Sequence, residues 1–184
     1  MDNLGDRFKK EISKKIQIEH KIKNPMRVPK LVKIVVNVGV KNALADKKNM
    51  EIASSWLSDI TGQKPKVTKA KKAIAAFKLR EGDAIGLVVT MRGARMYGFF
   101  DKLVNVVMPR IRDFSGVKIE GFDGRGNYTL GFVENTFFPE INPGKMDNAQ
   151  GLEITIVTTA RNNEEGKALL TGLGMPFKKV KTNN

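Results

Sequence analysis

Two stretches of this chain alternate too regularly to be helices. "LVKIVVNVG", Leu31 to Gly39, puts Val32, Ile34, Val36 and Val38 on one side and Leu31, Lys33, Val35 and Asn37 on the other. "AIGLVVTMR", Ala84 to Arg92, puts Ile85, Leu87, Val89 and Met91 on one side and Gly86, Val88, Thr90 and Arg92 on the other. A period of two marks a strand, because successive side chains point to opposite faces of a sheet. Each strand has one apolar face and one mixed face. A sheet built from them must be covered on one side and left open on the other.

The cover is legible in the same sequence. Ala53, Trp56, Leu57 and Ile60 recur at i, i+3, i+4 and i+7, an amphipathic helix with Gly62 as its stop. Met96, Phe99, Phe100, Leu103 and Val107 form a second stripe, ended by Pro109. Residues 1–24 predict a docked amphipathic helix from Leu4, Phe8, Ile12 and Ile16, followed by "NPMRVPK" (Asn24–Lys30), whose two prolines predict an extended linker. "FDGRGNYTLGF", Phe122 to Phe132, reads as a Gly-rich turn entering a strand. "LEITIVTTA", Leu152 to Ala160, is a further strand. "NNEEGKALLTGLG" is a short helix capped by Asn162 or Asn163, with Glu164 and Glu165 in its first turn.

Strands and helices interleave without a regular βαβ repeat, and no internal repeat or composition break divides the chain. The expected fold is α+β: a single two-layer domain over residues 1–184, with a mostly antiparallel or mixed sheet, helices on one face and the other face open. That open face carries Lys33, Asn37, Thr90 and Arg92, the donors that phosphates and sugar hydroxyls require.

Charge points the same way. The chain holds 33 Lys and Arg against 19 Asp and Glu, a net of +14. Residues 1–82 contribute 20 cations and 8 acids, whereas residues 83–184 contribute 13 and 11. Excess charge gathered in one half predicts a localised binding face for a polyanion.

An enzyme is a poor fit. There is no cysteine, which excludes disulfides, cysteine-ligated zinc and thiol catalysis. His20 is the sole histidine, so His-based triads and multi-His metal sites are ruled out. Glu134 and Glu140 follow no acid–base spacing. Gly144-Lys145 and Gly166-Lys167 lack the Ser or Thr of a phosphate loop, and "GRGNYTLG" has Thr129 where GxGxxG needs glycine. That segment reads instead as a hairpin turn in which Gly124 and Gly126 supply positive φ. Arg125 at its tip is open to either a contact or plain solvation. No apolar run is long enough to span a bilayer. The N-terminal stretch lacks a signal-peptide core, and Asp2, Asp6 and Glu11 argue against a transit peptide. A peripheral membrane protein using the basic N-terminal helix, and an RNA-processing enzyme, are the alternative readings.

"TKAKKAIAAFKLREG", Thr68 to Gly82, holds five cations and one acid around a short apolar middle. So few large apolar residues among so many charges favour an exposed loop over a core helix.

At this point the residues resemble a known family. "VPKLVKIVVNVGV", "ADKK", the long run from "GQKPKVTKAKK" to "MPRIRDF", "FDGRGNYTLG", "FPEI" and "EEGKALL" occur in the order found in the bacterial-type large-subunit ribosomal protein that binds 5S rRNA. The resemblance runs from about Pro25 to Phe177. It implies a structural protein of the cytoplasmic ribosome, placed in the central protuberance, with no catalytic residue, metal or cofactor. It implies that 5S rRNA meets Lys33, Asn37, Gln63, Lys64, Thr68, Lys69, Thr90, Arg92 and Arg95. It implies that the basic loop, through Lys71, Lys72, Ala76, Phe77, Lys78 and Arg80, reaches the peptidyl-site tRNA. It implies a bridge to a small-subunit head protein, assigned here to Arg110, Arg112, Pro139, Asn142 and Lys145. Large-subunit rRNA and other central-protuberance proteins are the remaining implied partners. The chain departs from the family at Met91, Ala94 and Ser115, where Leu, Glu and Arg are usual, and its first twenty-five residues match poorly. Met91 is a volume-conserving change; Ala94 and Ser115 each remove a charge.

Overall fold

The apolar positions Leu4, Phe8, Ile12 and Ile16 are spaced by four, which no single helix type repeats. Four residues of α-helix overshoot a full turn by about 40° per step, and four of a π-helix, at about 4.4 residues per turn, undershoot it. The chain mixes the two: α1 (Leu4–Arg7), a π-turn (Phe8–Ile12) and α2 (Ser13–Glu19) run in sequence. All four side chains stay buried as a result. Phe8 stacks on Tyr97, ring centroids 6.4 Å apart. Gly5 permits the approach, since a Cβ there would sit 3.2 Å from the same ring. Burial raises the Tyr97 phenol pKa.

The computed structural model describes residues 4–40, 47–141 and 150–178. The remaining helices are α3 (Lys47–Thr61), α4 (Gly93–Lys102) and α5 (Asn163–Gly172). The strands are β1 (Leu31–Gly39), β2 (Lys66–Lys69), β3 (Ala84–Met91), β4 (Tyr128–Phe132) and β5 (Leu152–Thr158). They form one antiparallel five-stranded sheet in the order β2-β3-β1-β5-β4, so the fold is α+β as expected. The chain divides into two compact units, each made of discontinuous stretches: Met1–Ile34, Arg92–Leu130 and Thr155–Asn184 in one, Val35–Met91 and Gly131–Ile154 in the other. Composition along the chain has no break because the chain passes between the units repeatedly.

In the first unit α1 packs on α4 and α2 on α5. Helix α4 continues through a second π-turn, Leu103–Val107, and Pro109 sits in the 3₁₀ turn Met108–Arg110 that closes it. The Phe122–Tyr128 hairpin is organised by Asp123, whose carboxylate accepts from the Asn127 side-chain amide (2.7 Å) and from the backbone N–H of Arg125 (2.8 Å) and Asn127 (3.1 Å). These bonds, the Asn127 amide foremost, hold the Asp123 pKa below the usual aspartate value. Gly124 and Gly126 adopt φ of 88° and 80°. Gly126 has a second constraint: a Cβ there would lie 2.5 Å from Ala160 Cβ. Asn162 caps α5, accepting from Glu165 N at 2.9 Å. Tyr128 donates to the Lys118 carbonyl at 2.5 Å, and burial pushes its pKa up to about 12.

In the second unit α3 packs on β3 through Ala53, Trp56, Leu57 and Ile60, all buried. It stops at Gly62, φ 64°, whose N–H donates to Ser58 O at 2.7 Å.

Three expectations need correction. The Asn24–Lys30 segment is not extended throughout: Pro25–Arg27 form a 3₁₀ turn, with the Asn24 side chain accepting from Met26 N at 2.9 Å. Proline's fixed φ suits a first helical position as well as an extended one, and asparagine supplies the cap. The phase of β1 slips at its entrance, where Leu31 is buried at 6% exposure and Val32 is open at 40%, while Ile34, Val36 and Val38 are fully buried. The slip lies where the strand twists into register with Thr159, whose N–H donates to Lys30 O at 3.0 Å. Lastly, the stretch Thr68–Gly82 is not all loop: Thr68 and Lys69 belong to β2.

The docked N-terminal helix makes a direct prediction. Ile16→Ala should cost about 2–5 kcal/mol in urea unfolding, whereas Met26→Ala, at a side chain 85% exposed, should stay within about 0.5 kcal/mol. Equal effects would contradict the docking.

Candidate nucleic-acid interface

Strand β3 sets the geometry. Leu87, Val89 and Met91 are buried, and the alternate residues Val88 and Thr90 are half-buried on the opposite face. β2 pairs with β3 so that Lys66 opposes Val88 and Thr68 opposes Gly86. Paired residues of an antiparallel ladder share a face. Lys66 and Thr68 therefore stand on the open side with Val88 and Thr90. Asn37 is exposed on β1 between the fully buried Val36 and Val38. Gly86 keeps this face low: a Cβ would lie 2.6 Å from Val38 O and 3.0 Å from Thr68 Oγ1. The surface thus offers an amide and a hydroxyl pair at nearly the level of the backbone, suited to a flat, closely approaching partner.

The edge of this face is the turn from α3 into β2. Gln63 is half-buried and Lys64 exposed. Together with Met50, Glu51, Ser54, Ser58 and Val67 they line a groove of about 700 Å³ on the side of the sheet that α3 covers, since Val67 pairs with the buried Leu87. Residues 62–80 hold seven cations and no acid.

Beyond β2 the chain forms a two-rung hairpin. At its neck Ala70 N donates to Asp83 O (2.8 Å) and Gly82 N to Ala70 O (3.0 Å). Further out Ile74 and Leu79 exchange backbone bonds of 2.9 and 3.1 Å. A 3₁₀ turn, Ala75–Phe77, and Lys78 at φ 50° close the tip. The Asp83 carboxylate accepts from Arg80 N at 2.8 Å. Lys71, Lys72, Ala76, Lys78 and Arg80 are exposed along it. Phe77 lies in the tip turn. Backbone bonds hold the main chain at neck and tip, and the cations extend from it as exposed side chains.

The other candidate residues are distributed more widely. Lys33, Arg92 and Arg95 belong to the first unit. Lys33 is half-buried on β1, Arg92 is exposed at the cap before α4, and Arg95 is exposed in its first turn. Arg110 and Arg112 are exposed just beyond the end of the α4 segment, in that same unit, and Pro139 is exposed in the second unit. Asn142 and Lys145 lie outside the described residues. Ala94 and Ser115 are both exposed, so neither charge loss disturbs the core. Among the described residues there is no group of His, Asp and Glu that could hold a metal ion, and no helix is long and apolar enough to cross a membrane. Sequence reasoning missed Lys66. The signal was present in the alternation of "KVTK", but four residues after Pro65 are too few to establish a strand period.

Comparison with known proteins gives a consistent answer. Residues 84–177 match the family model for the C-terminus of the ribosomal L5 protein family, and residues 24–80 the model described as ribosomal protein L5. The chain is 55% identical over 175 residues to the large ribosomal subunit protein uL5 of Anaeromyxobacter sp. (strain Fw109-5), covering 95% of this chain and 97% of that one. It is 54% identical over 179 residues to the protein of the same name from Desulfatibacillum aliphaticivorans, covering 97% and 100%. To that of Moorella thermoacetica it is 53% identical over 178 residues, covering 97% and 99%.

The close contacts at Gly86 predict that Gly86→Val destabilises the protein by about 1–3 kcal/mol, through overpacking against Val38 O. An unchanged urea midpoint would show that the face has room for side chains.

Proposed function

The chain belongs to the ribosomal protein L5 family and is a structural, non-enzymatic constituent of the large ribosomal subunit, and from that premise we propose that the open face of β2, β3 and β1 binds 5S rRNA. The observation that carries the reading is the pairing of two features in one unit. A low polar surface bearing Asn37, Thr68 and Thr90 borders a run of seven cations with no acid. Cations fix a protein's position on phosphates, and neutral donors and acceptors at the sheet surface read 2′-hydroxyls and base edges. Lys64, Lys66 and Lys69 serve the first role. Asn37, Gln63, Thr68 and Thr90 serve the second. Lys33, Arg92 and Arg95, in the other unit, are separate candidates for phosphate contact.

The pinned hairpin has a different task in this reading. Its cations at Lys71, Lys72, Lys78 and Arg80 contact the backbone of the peptidyl-site tRNA, with Ala76 and Phe77 at the tip. A contact that must release and re-form with every tRNA suits a projection held by backbone bonds, because only its side chains, and not its main chain, are ordered each time. Arg110 and Arg112 in one unit, and Pro139, Asn142 and Lys145 in the other, are the candidates for contact with a small-subunit head protein. Together these contacts attach 5S rRNA to the large-subunit rRNA and its neighbouring proteins in the central protuberance. Its place is the bacterial cytoplasmic ribosome.

Asn37→Ala combined with Thr90→Ala should weaken 5S rRNA binding by about 1–3 kcal/mol per residue, because RNA groups buried against the face would lose their partners. Filter binding measures this directly, and unchanged affinity would remove the sheet face from the account. Deleting residues 73–82 should leave 5S binding intact and shorten tRNA retention in the peptidyl site of assembled ribosomes. Loss of 5S binding in that deletion would show that the two tasks are divided wrongly.

A further inference from the structure

The sheet ends at β2, and among the described residues no strand or bridge pairs with the free edge of that strand. An edge strand presents unpaired N–H and C=O groups, a template for one further strand. The core-facing side of this edge is unfinished as well. Val67 pairs with the fully buried Leu87 and so shares its face, yet it is 43% exposed. Helix α3 does not reach over it. Where α3 borders the groove it carries Ser54, Ser55 and Ser58, so the wall there is low. The groove of about 700 Å³ between them is within the size range of ligand pockets. Groove and edge lie in the same compact unit. An unpaired backbone beside a pocket for alternate side chains is what strand addition requires: main-chain bonds give affinity and the pocket gives selectivity.

Charge decides which strand fits. Lys66 and Lys69 are exposed on β2, and Lys64 is exposed at the rim of the groove. Lys66 points to the open side of the sheet with Val88. Opposite charges facing each other stabilise a strand pair, and like charges destabilise it. A second copy of β2 would set lysines against lysines, on a chain of net charge +14, so self-pairing is disfavoured. The four-residue length, Pro65 and the register shift between Thr68 and Lys69 weaken pairing with any strand that lacks a charge match. RNA suits the groove poorly. Met50 and Val67 line it, Glu51 beside them repels phosphate, and it lies on the opposite side of the sheet from the polar face.

We propose that β2 accepts an extended segment of another protein, in which apolar residues facing the groove beside Met50 and Val67 alternate with acidic residues facing the open side beside Lys66. The added strand extends the sheet by one. This site does not depend on the binding of RNA to the open face, although Lys66 borders both.

The test uses the full-length protein and a fluorescein-labelled decapeptide of alternating Val and Glu, titrated by fluorescence anisotropy. The same peptide with its backbone N–H groups methylated should bind about tenfold or more weakly, since each lost backbone hydrogen bond has a measurable cost. Lys66→Glu/Lys69→Glu should lose the Val–Glu peptide and gain a decapeptide of alternating Val and Lys. Ser54→Phe, which fills the groove, should weaken peptide binding and leave 5S rRNA affinity unchanged. Ser55→Phe makes the same test from an exposed position if the first variant does not fold. Absence of Val–Glu binding by the wild type overturns the proposal, as does equal binding of the methylated peptide or indifference to the groove-filling variants. Loss of 5S rRNA affinity in those variants with peptide binding unchanged assigns the groove to RNA and overturns it too. Failure of the RNA reading appears separately, as a wild-type protein without preference for 5S rRNA. Circular dichroism and the urea midpoint establish that each variant is folded.

Discussion

The alternation of β1 and β3 is the constraint on which the rest depends. A strand with one apolar and one mixed face buries only the first, so the sheet is committed to a cover on one side. Trp56 and Leu57 of α3 supply that cover where β3 bears Leu87, Val89 and Met91. The opposite side is left with Asn37, Thr68 and Thr90, polar groups whose burial requires hydrogen-bonding partners. Thus the step that builds the core also creates a surface suited to polar recognition. Gly86 completes it by keeping the face low, and the cost of a side chain there is imposed by the backbone of the neighbouring strand.

A second constraint acts on the helices. Leu4, Phe8, Ile12 and Ile16 repeat every four residues, and a π-turn between α1 and α2 reconciles that spacing with one buried face. The consequence extends to the outside of the helix. With all four apolar residues turned inward, Arg7, Lys9, Lys14 and Lys15 are left exposed around the outside of the helix. Cationic blocks accordingly occur in both units, one beside the open sheet face and one along the N-terminal helix.

Much of this was readable from residue order alone. The bounds of β1, the stripe of α3, the stop at Gly62 and the cap at Asn162 follow from local rules, because each is decided by residues within a turn or two. The exceptions have a shared cause in tertiary context. Leu31 and Val32 exchange places because the start of β1 twists into register with Thr159, over a hundred residues away in sequence. β2 is too short to declare a period, and its existence depends on β3. The hairpin beyond it reads as an exposed basic loop, and only the pairing of Ala70 with Asp83 and Gly82 and of Ile74 with Leu79 shows how it is held. The 3₁₀ turn at Pro25 reflects a residue type that serves two conformations. For the candidate interface, strand phase identified Asn37 and Thr90, whereas Lys66 required the register of a neighbouring strand.

The central claim is that neutral groups on the open face select one RNA while the surrounding cations bind RNA generally. These two contributions respond differently to salt, because counterion release weakens phosphate contacts with every RNA alike. The most direct measurement is therefore the ratio of wild-type affinities for 5S rRNA and for an unrelated RNA duplex, followed as salt is raised. If the sheet face reads 5S rRNA, both affinities fall while the ratio persists at roughly 10³ or more, the range expected of specific nucleic-acid recognition. A ratio near one at every salt concentration would contradict the account, leaving a basic protein that holds RNA by charge alone.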